Sequence, residues 1–191
     1  MDGNLAFQED FRNELIAGKV VLMAPMPSVN HNRVARNIFR IFDEFLDGKQ
    51  CEAFSDGVDV YLTEENRFVP DMMVVCDPDK VYDDGVHGTP DFVVEVLSPA
   101  TTRIDRTHKM IVYGQCGVKE YWIVDTRNKS VEVYLNEDGR MNLQTVYTLY
   151  SDEIVTKMSP EQRSREVVES FQSELFPECR ILLRDIFKRV L

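Results

Sequence analysis

Three side chains have the types and spacing to do chemistry together: Asp71, Glu95 and Lys109. Asp71 lies within the apolar run FVPDMMVV, and Glu95 within DFVVEVL. A carboxylate in an apolar run costs several kcal/mol to bury unless it is paired, hydrogen-bonded or bound to a metal. Two carboxylates, one backbone carbonyl and water form an all-oxygen set suited to Mg²⁺, with Mn²⁺ as a substitute. The carbonyl of Val96, next to Glu95, is near enough to complete that set. Such an ion polarises a phosphoryl oxygen and lowers the pKa of a bound water. A nearby lysine adds charge stabilisation.

Side chains alternate along a strand, so Asp91, Val93, Glu95 and Leu97 share one face. Asp91 and Glu95 are then about 13 Å apart at ~3.3 Å per residue, too far to hold one small ion. Asp71 approaches Glu95 if their two strands pair. Asp71 with Glu95 is therefore the expected metal pair, and Asp91 the second choice. The alternative for Asp71 is a turn or edge-strand carboxylate. Lys109 has two readings that spacing leaves open: a site lysine, or an exposed partner of Asp105 one helical turn earlier, worth a few tenths of a kcal/mol. Tyr113 follows one turn after Lys109.

The elements that would position these residues can be read from pattern. Residues 19–24 form a strand candidate. Residues 30–46 predict a helix, with Val34, Ile38, Ile41, Phe42 and Phe45 at helical spacing, Asn30 as its cap and Gly48 as its stop. His31 reads as part of that cap rather than as a ligand. Arg33, Arg36 and Arg40 line another side of the helix, either as a solvated face or as a phosphate-contacting stripe. Residues 51–55 and 58–62 predict a hairpin about Asp56-Gly57. Residues 68–76 are the next strand, with Pro70 implying an edge or a bulge. A polar loop covers 77–90. Residues 91–97 and 121–124 read as strands buried on both faces. Thr102 and Asp105 match a capping box, placing a helix over 103–116 with Gly117 as its stop. Residues 131–135 and 143–149 predict a second hairpin. Ser159-Pro160-Glu161-Gln162 opens another capped helix, with Val167, Val168, Phe171 and Leu175 continuing it. The pattern over 180–191 is apolar and of no clear type. Helix, three strands, helix, strand from residue 30 to 125 is an α/β arrangement with a mixed sheet.

The totals fit one domain: 191 residues, 43% apolar and 29% charged. No apolar run is long enough to span a bilayer, and the acidic start MDGNLAFQEDFRNE lacks a signal-peptide core. Four scattered cysteines without a CxxC pair argue against structural zinc and against a disulfide framework, which fits a reduced, cytoplasmic setting. The net charge of −11 excludes a protein that grips duplex nucleic acid through a globally basic surface, so any DNA contact comes from a local patch or through bound cations.

FVPDMMVV, then PDFVVEVLSPATT, a helix carrying Lys109, and GVKEYWIVD together resemble the "putative restriction endonuclease" family within the PD-(D/E)XK nuclease superfamily. The resemblance covers about residues 19–149. It implies a restriction-endonuclease-like αβββαβ core, supplemented here by a C-terminal hairpin and helix, and a metal-dependent DNA phosphodiesterase. It makes Asp71 the motif aspartate and Glu95 the second acidic residue. The family's lysine sits two positions after that acid, where this chain has Leu97. The resemblance implies that Lys109, on the following helix, is the migrated counterpart.

Three functions are thus in view. The first is a Mg²⁺-dependent endonuclease on DNA. The second is a nuclease-fold binding or regulatory module with a weak or inactive site, favoured by the net charge and by Leu97. The third is a non-enzymatic homo-oligomer with structural carboxylates; a homodimer is a candidate assembly.

Overall fold

In the computed structural model, which describes residues 12–23 and 27–191, one mixed sheet carries the carboxylates and a second sheet leans over them. The strands are β1 (Asn13–Ile16), β2 (Lys19–Leu22), β3 (Glu52–Ser55), β4 (Val60–Thr63), β5 (Asn66–Phe68), β6 (Met72–Val75), β7 (Val81–Tyr82), β8 (Gly85–His87), β9 (Phe92–Val96), β10 (Glu120–Asp125), β11 (Ser130–Glu137), β12 (Arg140–Thr148), β13 (Ser170–Gln172) and β14 (Arg180–Leu182). The helices are α1 (Val29–Leu46), α2 (Thr102–Ile104), α3 (Met110–Cys116), α4 (Asp152–Lys157), α5 (Pro160–Glu166) and α6 (Leu183–Ile186). A wide π-helical turn, Asp105–Lys109, joins α2 to α3.

The main sheet runs β12-β11-β10-β9-β6-β3. Only β9 and β10 are parallel, linked by the α2–α3 crossover; the other pairs are antiparallel. The core order is α1, β3, β6, β9, crossover helix, β10, the αβββαβ arrangement expected. Strand alternation splits the interior in two. Met72, Val74, Val94, Val96, Trp122 and Val124 pack under α1. Met73, Val75, Val93, Tyr121 and Ile123 pack against α3 and the second sheet, β2-β1-β5-β4-β8-β7. Glu95 belongs to the second set, which aims it at α3.

Several expectations need correction. β3 and β4 do not form a hairpin. β3 pairs with β6, while β4 pairs with β5 and β8 in the other sheet. The Asp56-Gly57 corner carries the chain between sheets, clamped by Arg12 on Asp56 at 2.6 Å and Arg67 on Asp59 at 3.1 Å. Likewise the run 68–76 is not one strand. Pro70, which has no N–H to donate, breaks it, so β5 stays in the second sheet and β6 enters the main one. Asp71 sits at that break. Residues 77–90 hold the small β7–β8 hairpin as well as loop.

α1 is capped by Ser28, whose hydroxyl accepts from the His31 N–H at 3.2 Å, not by Asn30. Asn30 is instead bonded to the backbone of Leu191. Thr102 does not cap the crossover helix. It lies inside α2, and its hydroxyl donates to the Ser98 carbonyl at 2.6 Å. Asp105 therefore turns inward instead of closing a capping box. Gly117 does stop α3, at φ 95°. The β11–β12 hairpin turns at Asp138 and Gly139, both at positive φ, the geometry of a two-residue hairpin turn.

α5 opens with the expected capping box at Ser159 but ends at Glu166. Phe171 lies on β13, stacked on Tyr147 at 4.2 Å and tilted on Trp122 at 5.2 Å, so sheet burial overrode the helical spacing. Residues 180–191 supply β14 and α6. Residue 24, the end of the first predicted strand, is outside the described residues.

The cysteines are also corrected: Cys51 and Cys76 form a disulfide, with Cys116 and Cys179 free. The register Glu52↔Val75 brings Cys51 opposite Cys76, a cross-strand proximity that linear spacing does not reveal. No helix among the described residues is long and apolar enough to cross a membrane.

Candidate active site

The register Met72↔Val94 between β6 and β9 brings Asp71 level with Glu95. Asp71 Oδ2 accepts from the Val96 N–H at 2.7 Å and lies 3.2 Å from His31 Nε2. Glu95 is buried. Its Oε1 accepts from Lys109 Nζ and from the Tyr113 hydroxyl, each at 2.9 Å. Lys109 is 2% exposed, so it is not the solvent-facing partner of Asp105 that spacing also allowed. The wide turn places its ammonium 2.9 Å from Glu14 Oε1 and 3.7 Å from Asp105 Oδ1, with the Phe68 ring at 5.7 Å.

Asp91 stands apart. Its carboxylate accepts from the Cys76 N–H at 2.8 Å and pairs with Lys119 at 2.7 Å, at the opposite end of β9. Glu14, on β1, is the participant that sequence reasoning missed. It also accepts from the Val69 N–H at 2.8 Å, so it ties β1 to the strand break before Asp71. A lone glutamate between Asn13 and Leu15 was its sole sequence signal. By its spacing Asp105 reads as part of a capping box, and His31 as part of a cap. The ring of His31 faces Asp71 although its backbone N–H does serve the cap.

Electrostatics follow from burial. Burial raises the Glu95 carboxyl well above the usual range, and Lys109 opposes this. Burial raises Asp105 to about 6, again against Lys109. For Lys109 itself burial disfavours the charge, but Glu95, Glu14 and Asp105 outweigh it and hold the ammonium protonated. His31 is raised in the same manner: burial opposes, and Asp71 prevails. Burial and Glu95 keep the Tyr113 hydroxyl neutral.

A divalent cation fits this centre by donor chemistry and by charge. Glu14, Glu95 and Asp105 face one lysine, three carboxylates around one ammonium in a buried centre. Asp105, 1% exposed, rests against Lys109 at 3.7 Å and beside Thr101. Carboxylate and carbonyl oxygens are ligands for a hard cation. Among the described residues no three acidic, imidazole or thiol groups already surround one point. Between Glu14 and Glu95 the Lys109 ammonium is the counter-charge.

The family model Uma2, described as "Putative restriction endonuclease", matches residues 3–167. The chain belongs to this family. Two uncharacterized Synechocystis proteins are similar to this Uma2 chain. Slr1290 is 29% identical over 131 residues, covering 67% of this chain and 68% of the relative. Sll1609 is 29% identical over 138 residues, covering 70% and 77%. Among solved structures, the fold resembles a crystal structure titled as a putative nuclease belonging to DUF820 from Anabaena variabilis. The TM-score is 0.69 at 18% identity, over 94% of this chain and 91% of that one. Asp71, Glu95 and Lys109 all lie within the matched family region.

Proposed function

We propose that this Uma2 protein is a metal-dependent endonuclease that hydrolyses DNA phosphodiester bonds. The observation carrying this reading is the convergence of Lys109 on Glu95 at 2.9 Å, with Asp71 brought level by strand register. Asp71, Glu95 and the Val96 carbonyl would hold Mg²⁺ or Mn²⁺. When bound, the ion supplies Lewis-acid polarisation of a phosphoryl oxygen and a more acidic water.

The protein's own groups prepare the site. Tyr113 donates to Glu95 and fixes the carboxylate that Lys109 also holds. The Val96 N–H orients Asp71. Lys109, kept protonated by its three carboxylate neighbours, offers a fixed positive charge to the phosphate as negative charge builds on its oxygens. Glu14 and Asp105 set the position of that ammonium. Asp105, poised at about 6, is a group that can carry a proton near neutral pH.

A second reading is a nuclease-fold binding or regulatory module with little activity. The enclosure of Lys109, 2% exposed among carboxylates, favours it. Nicking of supercoiled plasmid by the pure protein separates the two. Cleavage that requires Mg²⁺ or Mn²⁺, stops with chelator and is absent in Glu95→Ala supports the endonuclease. Wild-type protein inert with both metals points to the module.

A further inference from the structure

The end of the site nearest solvent contains a nitrogen. His31 lies in the first turn of α1, where Ser28 caps its backbone N–H at 3.2 Å and so fixes the entry of the helix. The imidazole thereby turns to the main sheet, with Nε2 3.2 Å from Asp71 Oδ2. Its Nδ1 is buried and has no hydrogen-bond partner among the described residues. The side chains of His31 and Asp71 are 11% and 13% exposed, whereas those of Lys109 and Glu95 are 3% and 4%, so the imidazole end is the more open one.

His31 thus touches Asp71, one of the groups assigned above to the cation. A separation of 3.2 Å between a nitrogen and a carboxylate oxygen is also what two neighbouring ligands of one small ion show. With bonds of about 2.0–2.2 Å, adjacent ligand atoms stand about 3 Å apart.

We propose that His31 is a ligand of the catalytic metal, its Nε2 binding the same ion as Asp71. The inference rests on the metal-dependent reading above and extends it. An imidazole nitrogen beside carboxylate and carbonyl oxygens makes a mixed donor set, which moves the preference from Mg²⁺ towards first-row transition ions such as Mn²⁺. The competing role is structural: His31 only pins the start of α1 to Asp71.

Electron spin-echo spectroscopy of the full chain loaded with Mn²⁺ separates these roles without a cleavage assay. A directly bound imidazole gives a ¹⁴N modulation, which changes when histidine is ¹⁵N-labelled. The expected result is nitrogen coupling in the wild type, retained in His87→Gln and in His108→Gln, and lost in His31→Gln. The His31→Gln protein should still bind Mn²⁺, with at least tenfold weaker affinity. The chain has only three histidines, so retention in the His87 and His108 variants assigns the coupling even if His31→Gln does not fold. Mn²⁺ bound to wild type without nitrogen coupling overturns the proposal and leaves an oxygen-only metal centre standing. Coupling that survives in folded His31→Gln overturns it as well. Wild-type protein that binds no Mn²⁺ defeats the metal reading itself, and the His31 role with it.

Discussion

The Lys109 ammonium lies 2.9 Å from Oε1 of Glu95, across fourteen residues of sequence and from helix to strand. In a buried centre this pair is held together by need: either charge alone would be costly, and breaking such a pair by removing one partner costs about 3–5 kcal/mol. On the reading proposed above, this ammonium stands in for the lysine that position 97 lacks. Lys109→Met should therefore lower stability by several kcal/mol at pH 7. Part of that loss should return at pH 5, where the abandoned carboxylates take up protons. Urea unfolding at the two pH values checks this.

Asp105 sets a second pH dependence. Its carboxyl is raised from 3.8 to about 6, so between those values the folded protein binds a proton that the unfolded chain has released. Stability from this group is present at the acid end and falls as pH rises through the window. Relative to Asp105→Asn, the wild type should lose on the order of 2–3 kcal/mol between about pH 4 and pH 6.5. Parallel stability curves for the two proteins would show that Asp105 is ordinary in the fold.

Glu14 should matter more than its place on an N-terminal strand implies. Glu14→Ala leaves the Val69 N–H without its partner and removes one counter-charge of Lys109. The expected stability cost is about 1–3 kcal/mol. In Glu14→Gln the amide oxygen can keep the Val69 bond, so stability should be largely restored while plasmid cleavage stays reduced. Full recovery of cleavage in Glu14→Gln would assign Glu14 a purely structural role.

The disulfide gives a stability test independent of the site. Cys51 and Cys76 are 25 residues apart, and cross-linking a loop of that size contributes about 3 kcal/mol. Denatured, unreduced protein should react with two equivalents of thiol reagent, for Cys116 and Cys179, and reduced protein with four. A Cys51→Ala/Cys76→Ala variant should unfold at lower denaturant. Four reactive thiols before reduction would contradict the cross-link.

Much of this was legible in the chain because burial on both faces leaves a plain mark. YWIV is apolar throughout and FVVEV is apolar but for Glu95, so the central strands and the misplaced glutamate stand out together. Asp71 could be matched to Glu95 because strand pairing needs only register. What stayed hidden depends on contacts distant in sequence. Glu14 and the Cys51–Cys76 pair carry no local pattern that points to their partners. Asp105 mimicked a cap because T-x-x-D has the same spacing whether the acid faces a helix end or a buried ammonium. The 58–62 strand has a different neighbour from the one expected because the Asp56-Gly57 corner carries the chain into the second sheet, and the 68–76 run is split because Pro70 brings it back. The Phe171 segment misled because its helical spacing competes with sheet burial beside Trp122.

The measurement that bears most directly on the site is the initial rate of plasmid nicking by Lys109→Ala beside wild type. Mn²⁺ affinity should be determined calorimetrically on the same folded samples. The expected result is a rate at least tenfold lower, about 1.4 kcal/mol of barrier, with Mn²⁺ affinity unchanged within about threefold. Equal rates for the two folded proteins would contradict a catalytic Lys109, and wild-type protein that binds Mn²⁺ but never nicks would contradict the endonuclease itself.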